Sequence, residues 1–181
     1  MATRPVLCGL VAVSVVLVAG CSPDEPKGMA TSSPAVSPSA TPSLGVAEVA
    51  ERDALAAYRG MWSTFVEAAK TSDPEAADLP KYTSGNALKL ISSALYTNRS
   101  QNRVTLGELK IDPQVTALSP PDAPTEASVL DCVNDEEWLE HKKSGGLVND
   151  VPGGKHRTTA TVNRTSEGWK VSRFTIGDES C

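Results

Sequence analysis

Clustered positive charge is nearly absent from this chain of 181 residues, where the only adjacent basic pair is Lys142-Lys143. Nucleic acids and anionic lipid faces are recognised by clustered Lys and Arg, so neither is expected as the main partner. The nucleotide fingerprints are missing as well. No Walker-type loop and no Gly-x-Gly-x-x-Gly occurs, and Pro152-Gly153-Gly154 reads as turn chemistry. No Gly-x-Ser-x-Gly elbow is present to carry a serine nucleophile. With two histidines and four cysteines in the whole chain, no set of zinc ligands stands at recognisable spacing. The sequence therefore names no cofactor and no metal. It also lacks an apolar run of the roughly 20 residues that a spanning helix needs. The longest runs from Val6 to Ala19.

That run is informative all the same. One early cation, Arg4, precedes it, and small residues end it at Leu17-Val18-Ala19-Gly20-Cys21. A charged start, an apolar middle and small residues before the end are the parts of a removable secretion signal. The pattern resembles bacterial lipoprotein signals. That resemblance implies cleavage before Cys21, acylation of its sulfur and amino group, and attachment to the extracytoplasmic face of the cell membrane. Two or three acyl chains, each contributing about 0.8 kcal/mol per buried methylene, hold stably where one does not. The alternative is an ordinary cysteine beside a conventional cleavage site, with a freely secreted product.

Residues 1–20 hold a single charge, so residues 21–181 keep 16 of the 17 basic side chains and all 22 acidic ones, a net charge of −6. From Ser22 to Gly45 the chain carries Pro23, Pro26, Pro34, Pro38 and Pro42 among Ser, Thr and Ala, with almost no large apolar side chain. Such a segment cannot bury a core, and 21–45 is expected to be a disordered tether. It would reach about 27 Å as a flexible coil and about 75 Å as extended polyproline II.

Residues 46–181 are expected to form one α+β domain. Leu55, Tyr58, Trp62, Phe65 and Ala69 recur at steps of three and four, which predicts a helix over 47–70 with one apolar face. Asp73-Pro74 predicts a short helix toward Leu79, and Lys81-Tyr82-Thr83 a connector. Ala87, Leu88, Ile91, Ala94 and Leu95 predict a further helix over 84–99, with Ser84 as its cap. The period then changes to two. A strand over Val104–Ile111, bent at Gly107, continues through Val115–Leu118, and another runs over Ala127–Val133. Asp135–Lys143 reads as a helical turn or crossover, and two closing strands, 156–164 and 168–176, meet at Ser166-Glu167-Gly168. Helices first and strands after place helices on one face of an antiparallel sheet.

In an oxidising compartment Cys8 would leave with the signal and Cys21 would be lipidated, leaving Cys132 and Cys181 as one disulfide. A reactive thiol or metal site is the alternative, but neither the nearby base nor the ligand spacing is visible.

Tyr58/Trp62, Asp73-Pro74, Tyr82-Thr83-Ser84-Gly85 with Ala87-Leu88, Asp131-Cys132 followed by Trp138, Pro152-Gly153-Gly154 and Gly168-Trp169-Lys170-Val171 stand in a fixed order before Cys181. That order resembles a group of actinobacterial secreted proteins and lipoproteins with a cone-shaped, nuclear-transport-factor-2-like or cystatin-like domain. The resemblance implies the fold and the address without an activity. Related cones that are enzymes (isomerases, dehydratases, epoxide hydrolases) place an Asp or His base in an apolar pocket.

Asp131 is the candidate catalytic base here, because alternation sets it with Ala127, Val129 and Val133 on one strand face. Tyr58, Tyr82 or Trp62 would shape the cavity. Its neighbours Asn134, Asp135 and Glu136 favour the other reading, in which that face ends at solvent and Asp131 sits at the strand rim. His141 and His156 read as surface residues, and a site joining them to Asp131 lacks convergent spacing. The Asn98-Arg99-Ser100 and Asn163-Arg164-Thr165 triplets match the glycosylation sequon, which a bacterial lipoprotein signal argues against. The leading expectation is a non-catalytic envelope module, monomeric or weakly oligomeric, that binds an envelope protein or a small ligand. A cone-pocket enzyme using Asp131 is the alternative.

Overall fold

A computed structural model describes residues 45–181. The expected signal, Cys21 and nearly all of the expected tether lie outside the described residues. Three helices precede five strands: α1 (Val46–Ala69), α2 (Leu79–Tyr82), α3 (Gly85–Ser100), β1 (Arg103–Lys110), β2 (Gln114–Ser119), β3 (Glu126–Lys142), β4 (Lys155–Thr165) and β5 (Gly168–Ile176). No helix among the described residues is long and apolar enough to cross a membrane.

The start of α1 is fixed by Glu48, whose Oε2 accepts the Gly45 N–H at 2.8 Å. Tyr58, Trp62 and Ala69 of the predicted stripe are buried, joined by Ala54 and Met61, while Leu55 and Phe65 are half-buried at its edge. The helix stops where Ser72 turns into the left-handed region at φ 53°, with its hydroxyl donating to the Arg103 carbonyl at 2.7 Å. The short helix lies later than predicted. Asp73 makes a local turn, its Oδ1 accepting the Glu75 N–H, and α2 takes in Lys81 and Tyr82, the expected connector. Ser84 stands at the N-cap of α3, but its side chain makes no cap bond; its N–H donates to the Val171 carbonyl at 2.9 Å.

The sheet is antiparallel in the order β1-β3-β4-β5, with β2 also on β3. β1 and β2 run the same way along β3, pairing its C-terminal and N-terminal halves. Between them Ile111-Asp112-Pro113 breaks the ladder, and the register also shifts between Glu108 and Lys110, Val115 and Ala117, and Thr161 and Val162. Such irregularities add twist and curve the sheet under the helices. Gly107 bends β1 as expected, at φ 107°, where a methyl group would collide with the Glu137 backbone.

One prediction fails clearly. Residues 135–142 are no helical turn: they continue β3, which is 17 residues long. Beyond the paired stretch with β4, the loop after β3 folds back on it, with Val148 N–H donating to the Glu140 carbonyl and Asp135 N–H to that of Gly154. That contact covers an otherwise open strand edge.

The core is continuous from Met61, Trp62, Ile91 and Leu95 on the helices to Val129, Val133, Val162, Val171 and Phe174 on the sheet. Each such side chain stabilises the fold by about 1.5–3 kcal/mol relative to an exposed one. An aromatic row fills the interior along α1. Tyr58 meets Trp62 edge-on at 6.4 Å, Trp62 stacks on Phe65 at 6.0 Å, and Phe65 meets Trp138 edge-on at 5.2 Å.

Candidate functional site

Asp131 lies where the β1–β2 break faces β3. Leu130 pairs with Gln114 and Asn134 with Lys110, so the intervening residues of β3 have no strand partner on that edge. Its carboxylate satisfies that break directly, Oδ1 accepting the Asp112 N–H at 2.7 Å. The other oxygen, Oδ2, accepts the Tyr58 hydroxyl from α1 at 3.0 Å. Asp131 is 3% exposed and Tyr58 fully buried. The alternation argument is therefore right about the face, and the expectation of a solvent rim is wrong. Asn134, Asp135 and Glu136 come after the buried stretch, and what holds Asp131 inside is a tyrosine 73 residues earlier.

Burial pushes the Asp131 carboxyl above the ordinary carboxylate range, against the pull of the Asp112 N–H and the Tyr58 hydroxyl. Burial also raises the Tyr58 phenol far above its usual value; the Trp62 indole opposes this, and the Asp131 charge adds to it. Tyr58 is thus a fixed hydrogen-bond donor. A general base needs a lone pair within reach of a substrate proton. Here both carboxylate oxygens are already engaged, and the space beside them is a pocket of about 170 Å³ between Asp112, Gln114, Arg157 and the Cys132–Cys181 bridge. Small-molecule sites start at roughly 300 Å³.

That bridge is formed, as the cysteine count predicts. It ties the C-terminal residues to β3, and Gly177 and Glu179 add backbone pairs to Arg157 of β4. The other predicted participants do not gather at Asp131. Trp62 is part of the core, while Tyr82, 36% exposed, lies outside on Gly60 of α1, where a methyl group would collide with its ring. His156 approaches Asp135, Nε2 to Oδ1 3.4 Å, and His141 bridges to Leu147. Among the described residues no three His, Cys, Asp or Glu side chains converge as metal ligands.

A larger concavity lies elsewhere. A cleft of about 500 Å³ opens between the end of α1, α3 and the β1–β3 pair. Phe65, Ala69, Leu95 and Trp138 give it an apolar floor; Ser93, Thr97 and Asn98 of α3 face Thr105, Asp135 and Glu140 of the strands across it. No Lys or Arg is among its lining residues. The aromatic row separates this cleft from Asp131, because Tyr58 holds one end and Trp138 the other. Sequence reasoning misses the cleft. Its only traces are the second polar row of α3, at 93, 97 and 98, and an inward Trp138 in a stretch read as helical.

No protein-family profile matches the chain, and no curated protein matches it in sequence. Solved structures similar to it include the intermembrane space region of the chloroplast protein ARC6, at 18% identity, 70% of this chain, 98% of that one and a TM-score of 0.42. A provisionally named aromatic ring hydroxylase from Novosphingobium aromaticivorans is similar at 17% identity, 70% and 88% coverage and a TM-score of 0.46. A protein of unknown function with a cystatin-like fold from Nostoc punctiforme is similar at 9% identity, 68% and 89% coverage and a TM-score of 0.41. Likenesses this distant say nothing of activity.

Proposed function

We propose that the chain is a lipoprotein of the extracytoplasmic membrane face, anchored through acylated Cys21, whose α+β domain binds a small ligand in the cleft beside α3. Asp131 serves the fold in this reading and carries no reaction. One observation carries it: the buried carboxylate has no substrate-sized space beside it, and a cleft of that size opens elsewhere, against the aromatic row. Asp131 has two protein donors and only about 170 Å³ beside it, and the cleft of about 500 Å³ contains neither Asp131 nor Tyr58. Concave sites with an apolar floor and a few polar groups are where small molecules bind. The lipobox ending at Cys21 supports the anchor, and the Pro-rich 22–45 segment supports a domain held away from the bilayer.

Mass spectrometry of the intact protein extracted from its host's membranes tests both parts. The expected species starts at Cys21 with two or three acyl chains, shows no free thiol before reduction and carries a small molecule at 1:1. A soluble product beginning upstream of Cys21 would remove the anchor from this account. A turnover assay in which Asp131→Asn abolishes a reaction of the wild type would replace binding with catalysis.

A further inference from the structure

Resting on the reading of the cleft as the binding site, we infer that it selects a non-anionic amphiphile, a ring-sized apolar body bearing a hydroxyl or ammonium group. The apolar body follows from the floor, where Phe65, Leu95 and Trp138 come together. Trp138 contributes its ring, since its Nε1 is shut off from solvent.

The polar group follows from counting donors and acceptors. The hydroxyl of Thr97 already donates to the Ser93 carbonyl at 2.9 Å, and Asn98 Nδ2 donates to the Thr105 hydroxyl at 3.3 Å. Those two bonds stay within the protein, while the hydroxyls of Ser93 and Thr105 and the buried Trp138 Nε1–H have no acceptor among the described residues. Acceptors remain as well. Glu140 uses Oε2 for Arg103 at 3.0 Å and Asp135 uses Oδ1 for the Gly154 N–H at 2.6 Å, leaving Glu140 Oε1, Asp135 Oδ2 and Asn98 Oδ1 without a hydrogen bond from the described residues. A ligand that donates can pair with these atoms, and one that brings only acceptors cannot.

Charge points the same way. The only formal charges lining the cleft are the carboxylates of Asp135 and Glu140; Arg103 already pairs with Glu140, and the His156 ring lies against Asp135. A ligand carboxylate or phosphate would meet two like charges and no free cation. Alcohols and amines share the required donor, and they are separable by charge.

Isothermal titration of the purified full chain with three probes of one size tests this: 2-phenylethanol, 2-phenylethylamine and phenylacetate. The alcohol and the amine should bind at least about tenfold more tightly than the acid. Ala94→Trp and Thr97→Trp, both at exposed α3 positions on the cleft, should each weaken them by about tenfold or more. Glu140→Gln should weaken the amine more than the alcohol. Equal affinity for all three probes, lost in both tryptophan variants, overturns the ligand class and leaves the binding site standing. No binding, or binding indifferent to both variants, overturns the site as well.

Discussion

Removing the Asp131 carboxylate should destabilise the domain strongly, and neutralising it to an amide should cost less. Asp131→Ala strands two donors, the Asp112 N–H that lies 2.7 Å from Oδ1 and the Tyr58 hydroxyl 3.0 Å from Oδ2. A buried donor left without its partner costs about 1–3 kcal/mol, so the variant should lose about 2–5 kcal/mol. Asp131→Asn keeps the shape and one of the two bonds: its amide oxygen takes the Asp112 N–H, while its NH₂ leaves the Tyr58 hydroxyl without an acceptor. Its loss should be about 1–3 kcal/mol, less than that of the alanine variant. Urea unfolding with the disulfide intact reads both as shifts in midpoint at constant slope.

The pH dependence separates them further. The Asp131 pKa is raised in the fold, so above the ordinary carboxylate value the unfolded chain releases this proton while the fold still holds it. This group's contribution is fully present below the unfolded pKa and falls as pH rises through the folded one. The Asn variant should therefore gain on the wild type through that window and hold a constant difference above it. An Ala variant within about 0.5 kcal/mol of wild type, or an Asn variant as unstable as Ala, would refute the reasoning.

Cys181→Ser opens a loop with a sequence separation of 49 residues. Chain-entropy scaling gives a loss of about 4 kcal/mol, seen as a lower urea midpoint and matched by reduction of the wild type. Gly107→Ala meets a positive φ and the Glu137 backbone together, so it should cost more than about 2 kcal/mol and shift the amide resonances of β1 and the facing half of β3 in NMR spectra.

Most elements were legible where one face alone decides the pattern. Tyr58, Trp62, Phe65 and Ala69 mark α1 because a single stripe packs on the sheet, and the 156–176 hairpin follows from alternation around Gly168, which has φ 113°. The second half of β3 was not legible. The register shift opposite Glu108–Lys110 disrupts its period, and its inward face carries Asp135 and Glu140 because that face borders a cleft instead of a core. A run of acidic residues then looks like a solvated turn. Alternation puts Asp131 on the correct face, yet its acidic neighbours read as a rim, since its two partners, Asp112 and Tyr58, are distant in sequence and become neighbours only when α1 crosses the break between β1 and β2. The cleft shares this difficulty: Ser93, Thr97 and Asn98 are indistinguishable in sequence from a helix face turned to water.

The most direct test of the separation between fold and binding is native mass spectrometry of the full chain from its own host's envelope, comparing Asp131→Asn with Ala94→Trp. The account predicts a small molecule bound at 1:1 to the wild type and to Asp131→Asn, and missing from Ala94→Trp. A molecule lost from Asp131→Asn and kept by Ala94→Trp would contradict it and move the site to the buried carboxylate.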